Sequence, residues 1–279
     1  MTGCAGKSQS LEGDHKPLNI GHAGMGFSSL VNPFNPLPEN SMASLQKAME
    51  LGADGVEVDV QLTADSVLVL YHDKRLDSKT ATKGCISELK STEVIGVPYK
   101  MGFPFDWFHN ESIISLEQLF EEFSRRDSFP WVYLDIHSHN YCDLMKGYAS
   151  IGILARSLAR LIEKHNIPEH KIKPTSTYYK MLLEVRKANP RLTLLLEEDT
   201  DFDKGMRVLE KYSFDGLVLK RKRYPGVAKI KAARNAGVEI VFFGGKSRSS
   251  ISKMIDYNVD ALQVNNVKAL NSLLNEGND

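Results

Sequence analysis

The sequence is poor in the features that mark membrane, nucleic-acid-binding and disulfide-framed proteins. None of its apolar runs reaches the ~18 residues that a spanning helix needs. Neither sign of charge is in excess, since 35 basic residues stand against 35 acidic ones in a chain of 279. Neutrality removes the electrostatic case for nucleic acid or an anionic membrane as partner, although Lys220-Arg221-Lys222-Arg223 could hold an anion locally. Cysteine is scarce and odd in number. Cys4, Cys85 and Cys142 make neither a C-x-x-C metal pair nor a disulfide framework, and Cys85 and Cys142 read as incidental thiols. No repeat or flexible linker interrupts residues 17–279, so a single domain is expected, a size that α/β barrels often reach. A phosphate-binding G-x-G-x-x-G turn is missing too. His22-Ala23-Gly24-Met25-Gly26 lacks its spacing, which argues against a doubly wound nucleotide fold.

What is present is an alternation of short β-rich runs with longer amphipathic ones. Strands are expected at residues 18–22, 56–62, 67–72, 131–137, 171–176, 192–196, 216–220, 239–243 and 261–264. Helical patterns fill residues 41–51, 116–124, 144–165, 178–189, 203–212, 226–236 and 249–257. Several end on a helix stop signal, such as Gly52, Gly237 or Pro190. Such alternation predicts a parallel α/β sheet, here a distorted TIM-type (β/α)8 barrel. The surplus strand has an explanation. Only Thr63-Ala64-Asp65-Ser66 separates the second run from the third, and a parallel pair needs a crossover of a dozen residues or more. Those two runs therefore form an antiparallel hairpin. Residues 73–115 lack regular periodicity and carry the aromatic cluster Phe103-Pro104-Phe105-Asp106-Trp107-Phe108, which suggests an insertion capping one end of the barrel.

The chemistry concentrates at strand ends. In Val56-Glu57-Val58-Asp59-Val60 the two acids share one face of a strand and the valines the other. A solvated edge strand could carry such acids, but Val69-Leu70-Tyr71 on the partner run is too apolar for an edge. Two carboxylates facing a barrel interior would be desolvated and would repel each other, and a bound cation resolves both problems. With the hairpin turn centred on Ala64-Asp65, His72 falls opposite Glu57. His22 ends the first strand before a glycine-rich turn, and Asp135 and His137 share a face at the end of another. Active sites of such barrels are assembled from these strand ends and the loops that follow them. Oxygen ligands suit a hard cation, and paired histidines suit proton transfer to and from a phosphodiester.

At these residues the chain resembles the glycerophosphodiester phosphodiesterases. That family's pattern runs H-R-G, P-E-N, G-A-D-x-x-E-x-D-V-x-x-T-x-D, H-D and an E-I-K strand. The matching stretches here are His22-Ala23-Gly24, Pro38-Glu39-Asn40, Gly52 to Asp65, His72-Asp73 and Leu134-Asp135-Ile136-His137. The resemblance implies Glu57, Asp59 and Asp135 as ligands of one Ca2+ or Mg2+ ion, and His22 and His72 as the acid–base pair. It implies release of glycerol 3-phosphate from deacylated phospholipids, the glycerol 2-hydroxyl attacking phosphorus and water opening the cyclic product. Asn40 would sit near the phosphate, besides being suited to cap the helix that follows. Two phosphate-holding cations of the family are lost: its arginine is Ala23 here and its strand lysine is His137. Lys220 and Lys246, at the ends of late strands, are the residues that could restore the charge unless both lie on the solvated rim. Two rival readings follow: a phosphodiester with another head group, or a catalytically silent barrel binding a phosphorylated ligand. Retention of His22, Glu57, Asp59, His72 and Asp135 together favours an enzyme.

The amino terminus resembles another class. Thr2-Gly3-Cys4-Ala5-Gly6-Lys7-Ser8 is similar to the mature end of a bacterial lipoprotein, in which the cysteine is lipidated and a polar tether follows. On that reading residues 1–16 are a disordered tether, Cys4 carries the only membrane contact, and the protein resides at the cell envelope or in the periplasm. Without the anchor a cytoplasmic enzyme is expected.

Overall fold

A computed structural model of the chain describes residues 16–30, 34–136, 142–220 and 224–276. In chain order the elements are β1 (Leu18–Gly21), α1 (Met42–Glu50), β2 (Gly55–Leu62), β3 (Leu68–Leu70), α2 (Ser91–Val94), α3 (Leu116–Phe123), β4 (Trp131–Asp135) and α4 (Leu144–Lys164). They continue as β5 (Ile172–Ser176), α5 (Tyr179–Ala188), β6 (Leu195–Glu198), α6 (Phe202–Tyr212), β7 (Gly216–Lys220), α7 (Val227–Asn235), β8 (Glu239–Phe243), α8 (Arg248–Ile255), β9 (Ala261–Val264) and α9 (Val267–Glu276). β1 pairs in parallel with both β9 and β2, so eight strands close into a TIM-type barrel with helices between them. β3 hangs outside, antiparallel to β2.

Strand alternation builds two cores. Ile20, Tyr133, Leu195, Val218, Val241 and Ala261 point into the barrel. Val56, Val58 and Val60 point outward, against Leu45 and Ala48 of α1. Inward positions of β2 are thereby left to Glu57 and Asp59. The helix α1 is capped by Ser41, whose hydroxyl accepts from Ser44 N at 3.3 Å. Asn40, expected as that cap, stands one residue before it with φ +60° and turns its side chain toward the strands.

The hairpin differs in register from the expected one. Val60 pairs with Leu70 and Leu62 with Leu68, and Thr63 N donates to Val67 O at 3.0 Å. Ala64, Asp65 and Ser66 thus form a three-residue loop, closed by Ser66 in the left-handed region at φ +67°. A two-residue turn on Ala64-Asp65 would have set His72 against Glu57. The longer loop shifts the partner strand by one, and pairing ends where Tyr71 N donates to Asp59 O at 3.1 Å. His72 leaves the sheet there, beside the barrel mouth.

Residues 73–115 pack on the outer face of β3. Val69, Tyr71, Leu76, Ile86, Val94, Tyr99 and Ile113 form a small core of their own. The insertion is also tied down covalently, because Cys85 and Cys142 form a disulfide with Cα atoms 6.1 Å apart. This overturns their reading as incidental thiols. A separation of 57 residues hides the pairing from any spacing rule. Of the expected tether, only Lys16 is described, its ammonium donating to Asn275 Oδ1 at 2.9 Å; Cys4 lies outside the described residues.

Candidate active site

Parallel strands end together, and the side chains at their ends converge on one cavity of about 210 Å³. Its lining includes His22, Glu57, Asp59, His72, Asp135 and Lys220, with Phe27, Glu197 and Phe243 as further walls. β2 and β4 are in register with Asp59 opposite Asp135. Glu57, Asp59 and Asp135 each bring a carboxylate oxygen within 4.8 Å of the others. Burial, then the charges of Asp59 and Asp135, pushes the Glu57 carboxyl well above the ordinary range. Burial and Asp135 likewise raise Asp59, against the pull of His72 and Asn40. Three oxygen donors so disposed fit a hard divalent cation, which would relieve the repulsion that lifts those pKa values.

Glu57 and Asp59 are each oriented from outside the cavity. Ala23, at φ +47°, directs its N–H onto Glu57 Oε2 at 2.9 Å. Gly24, at φ +88°, completes the turn, and a Cβ there would come within 2.6 Å of Ser44 Oγ. Asn40 clamps Asp59 at both ends, its amide donating to Oδ2 at 2.8 Å and its carbonyl accepting from Asp59 N at 3.0 Å. Asn40 thus bonds Asp59 through both its amide nitrogen and its carbonyl oxygen, and it is not among the residues that line the cavity.

Both histidines pack against Phe27, whose ring meets His22 at 5.2 Å and His72 at 5.3 Å, edge to face. His22 is buried, with Nδ1 2.5 Å from Asn265 Oδ1 and Nε2 3.7 Å from Glu57 Oε2. Burial lowers its pKa, and the Asn265 hydrogen bond opposes that shift. His72 is more open, and its Nδ1 lies 2.8 Å from Asp73 Oδ1. Gln61 holds the chain around it, donating to the carbonyls of Tyr71 at 2.8 Å and Asp73 at 2.6 Å.

The two late lysines part company. Lys220 reaches the cavity but lies 3.0 Å from Glu197 Oε1 and 2.9 Å from Asp199 Oδ2. Those carboxylates overcome the opposing effect of burial and hold its pKa up at about 12. Lys246 donates to Ser29 Oγ at 2.8 Å and does not line the cavity, so it belongs to the rim. His137 lies outside the described residues.

Asn265, Gln61 and Phe27 were not singled out from sequence. Asn265 follows the last residue of β9, and only its meeting with His22 in space marks it. Gln61 shares the inward face of β2 with Glu57 and Asp59, which was the available signal. Lys79 was also missed: it reaches from the insertion to pair with buried Glu39, its ammonium 5.0 Å from the Phe27 ring centre.

The geometry agrees with what the chain is similar to. A glycerophosphodiester phosphodiesterase of Caldanaerobacter subterraneus is 32% identical over 158 residues, 57% of this chain. The matched region spans about 60% of that relative's length. An Oleispira antarctica phosphodiesterase, solved in complex with the product sn-glycerol-3-phosphate, superposes with a TM-score of 0.77 at 20% identity, over 93% of this chain and 97% of that one. A glycerophosphodiester phosphodiesterase from Agrobacterium tumefaciens gives 0.72 at 22% identity, over 92% and 99%. At such identities these two likenesses establish the barrel alone. The match to the Glycerophosphoryl diester phosphodiesterase family extends over residues 33–269, from the β1–α1 loop into the last helix, and on that extent the chain belongs to this family.

Proposed function

We propose that the protein hydrolyses a glycerophosphodiester to glycerol 3-phosphate and an alcohol. Glu57, Asp59 and Asp135 would hold one Ca2+ or Mg2+ ion, and His22 and His72 would move the protons. The observation that carries this reading is the meeting, in one cavity, of three clustered carboxylates with two histidines packed against Phe27. When bound, the cation would offset negative charge on the phosphoryl oxygens.

The partners of the histidines divide the work. His22 Nδ1 faces a neutral amide oxygen, which accepts the ring N–H and leaves Nε2 as a base toward the cavity. It accepts the proton of the attacking hydroxyl, which the family pattern takes from the substrate's own glycerol. His72 Nδ1 faces the Asp73 carboxylate, which orients the ring and leaves Nε2 for the substrate. It delivers a proton to the departing alcohol oxygen as the P–O bond breaks. Opening of the cyclic product by water reverses both transfers.

A different head group remains the second reading, and the cavity supports it. Ala23 offers no cation, and Lys220 is held by Glu197 and Asp199, so the phosphate surroundings are not those of the family pattern. The deciding assay measures alcohol and phosphomonoester released from a panel of glycerophosphodiesters, with chelator and with added Ca2+ or Mg2+. Cleavage of no member under any metal condition would leave only the silent barrel.

Residence at the cell envelope, with Cys4 as lipid anchor, is part of the same proposal. Its support is the Cys85–Cys142 disulfide, a bond that persists in oxidising compartments. Fractionation of the native cells, with mass analysis of the peptide containing Cys4, tests it. An unmodified Cys4 in the soluble cytoplasmic fraction would refute it.

A further inference from the structure

Six of the large apolar side chains left exposed lie in segments that follow the ends of β1, β3 and β4. Leu30 and Phe34 belong to the β1–α1 loop, Phe103, Trp107 and Phe108 to the insertion, and Met145 to the start of α4. Contacts join the first two groups. Phe34 meets Phe108 with ring centres 5.5 Å apart, and Lys79 of the insertion lies over Phe27, which lines the cavity. The most prominent rings are Phe103 and Trp107, each 77% exposed and packed edge to face at 4.9 Å. They do not fold back onto the small core of the insertion. Asp106 fixes the turn beneath them, accepting from Met101 N at 2.7 Å and Gly102 N at 3.1 Å.

An apolar cluster of this kind marks a docking surface, and three features select its occupant. The rings project from the tip of a turn rather than line a groove, which suits a deformable apolar phase better than a rigid protein face. Phenylalanine and tryptophan are residues that settle at the lipid–water interface. The insertion carries no charge bias, with six basic and six acidic residues between positions 73 and 115, so attraction to anionic lipid is not the driving force.

We propose that this end of the barrel docks on a zwitterionic phospholipid bilayer, with Phe103 and Trp107 inserted and the cavity mouth turned to the interface. The site would then take amphiphilic phosphodiesters from the membrane surface, a consequence that rests on the proposed phosphodiesterase activity; the docking itself does not.

The test uses the full chain with Cys4→Ser, so that no acyl chain contributes, and phosphatidylcholine vesicles. Co-sedimentation of the protein with lipid is expected, little changed by added salt. In the double variant Phe103→Ser/Trp107→Ser the affinity should fall roughly tenfold or more, while turnover of a water-soluble glycerophosphodiester is unchanged. Failure of the parent protein to sediment with vesicles would overturn the proposal, as would equal binding by the double variant. A solution dimer that the same substitutions dissociate, without vesicle binding, would also overturn it by naming a second copy as the occupant. Vesicle binding by a protein that cleaves no phosphodiester would leave this inference standing and remove the proposed activity instead.

Discussion

Replacing Cys142 by serine removes the bond that ties the insertion to the segment following β4. The two anchor points matter to the site: Cys142 comes seven residues after Asp135, and Cys85 lies in the insertion that begins directly after His72. With the cysteines 57 positions apart, the chain-entropy relation puts the stabilisation at about 4 kcal/mol at 25 °C. Serine suits the half-buried position of Cys142, so little cavity cost is added. Unfolding entropy for a chain of this size is about 0.6 kcal/mol/K, which converts the loss into a Tm lower by about 7 °C. Thermal unfolding of the variant against the parent, both without reductant, measures it. Thiol titration of the denatured, unreduced parent should find one free cysteine, Cys4, provided that it carries no lipid. Three titratable thiols, or a Tm unmoved by Cys142→Ser, would refute the reasoning.

The other expectations concern the cavity. His22→Ala and His72→Ala should each lower kcat by about 10²–10⁴-fold with the fold intact, measured by steady-state kinetics and circular dichroism. Asn265→Ala frees the His22 ring from its 2.5 Å partner; kcat should fall roughly tenfold with KM little changed, and Asn265→Leu should not restore it. In metal-free protein the raised pKa values of Glu57 and Asp59 stabilise the fold while both are protonated. That contribution is complete below the unfolded carboxylate range and is lost as pH rises through the raised values. Tm without metal should therefore drop between acidic and neutral pH, and Glu57→Gln should flatten that slope. Lys220, held at about 12, stays charged throughout the working range, so Lys220→Met should leave the alkaline limb of the pH–rate profile in place.

The barrel was legible because its period is regular. Strand β7 at Gly216–Lys220, β8 at Glu239–Phe243 and β9 at Ala261–Val264 match the expected runs to the residue, each a short apolar block between helices. Glu57 and Asp59 were legible for the same reason, since two polar residues at period two among valines declare a face. What escaped depends on pairing across distance. The disulfide joins positions that no local rule connects, and Asn265 reaches His22 across 243 residues. The hairpin register depended on Ser66 accepting a left-handed conformation, which a non-glycine residue does not announce. Helix α9 was overlooked although it carries a cap, the Asn266 side chain accepting from Ala269 N at 3.1 Å. Lys220 was recognised by position, but its function depends on Glu197 and Asp199, two strand-end acids that drew no notice.

Those acids change the electrostatic question at the site. Among its described lining residues the cavity sets four carboxylates, Glu57, Asp59, Asp135 and Glu197, against the single ammonium of Lys220. Two unit charges about 5 Å apart interact by roughly 3 kcal/mol at an effective dielectric of about 20. Several such repulsions exceed what one lysine can offset, the more so because Asp199 draws on the same ammonium. An anionic phosphodiester would be excluded from the fully ionised cavity. Protonation of Glu57 and Asp59 lessens the repulsion at acidic pH but also removes the oxygen ligands. A divalent cation lessens it while keeping them. If the proposed activity holds, the lack of an arginine at Ala23 would make substrate capture lean on the cation more than in the family pattern, so metal depletion should raise KM as well as lower kcat.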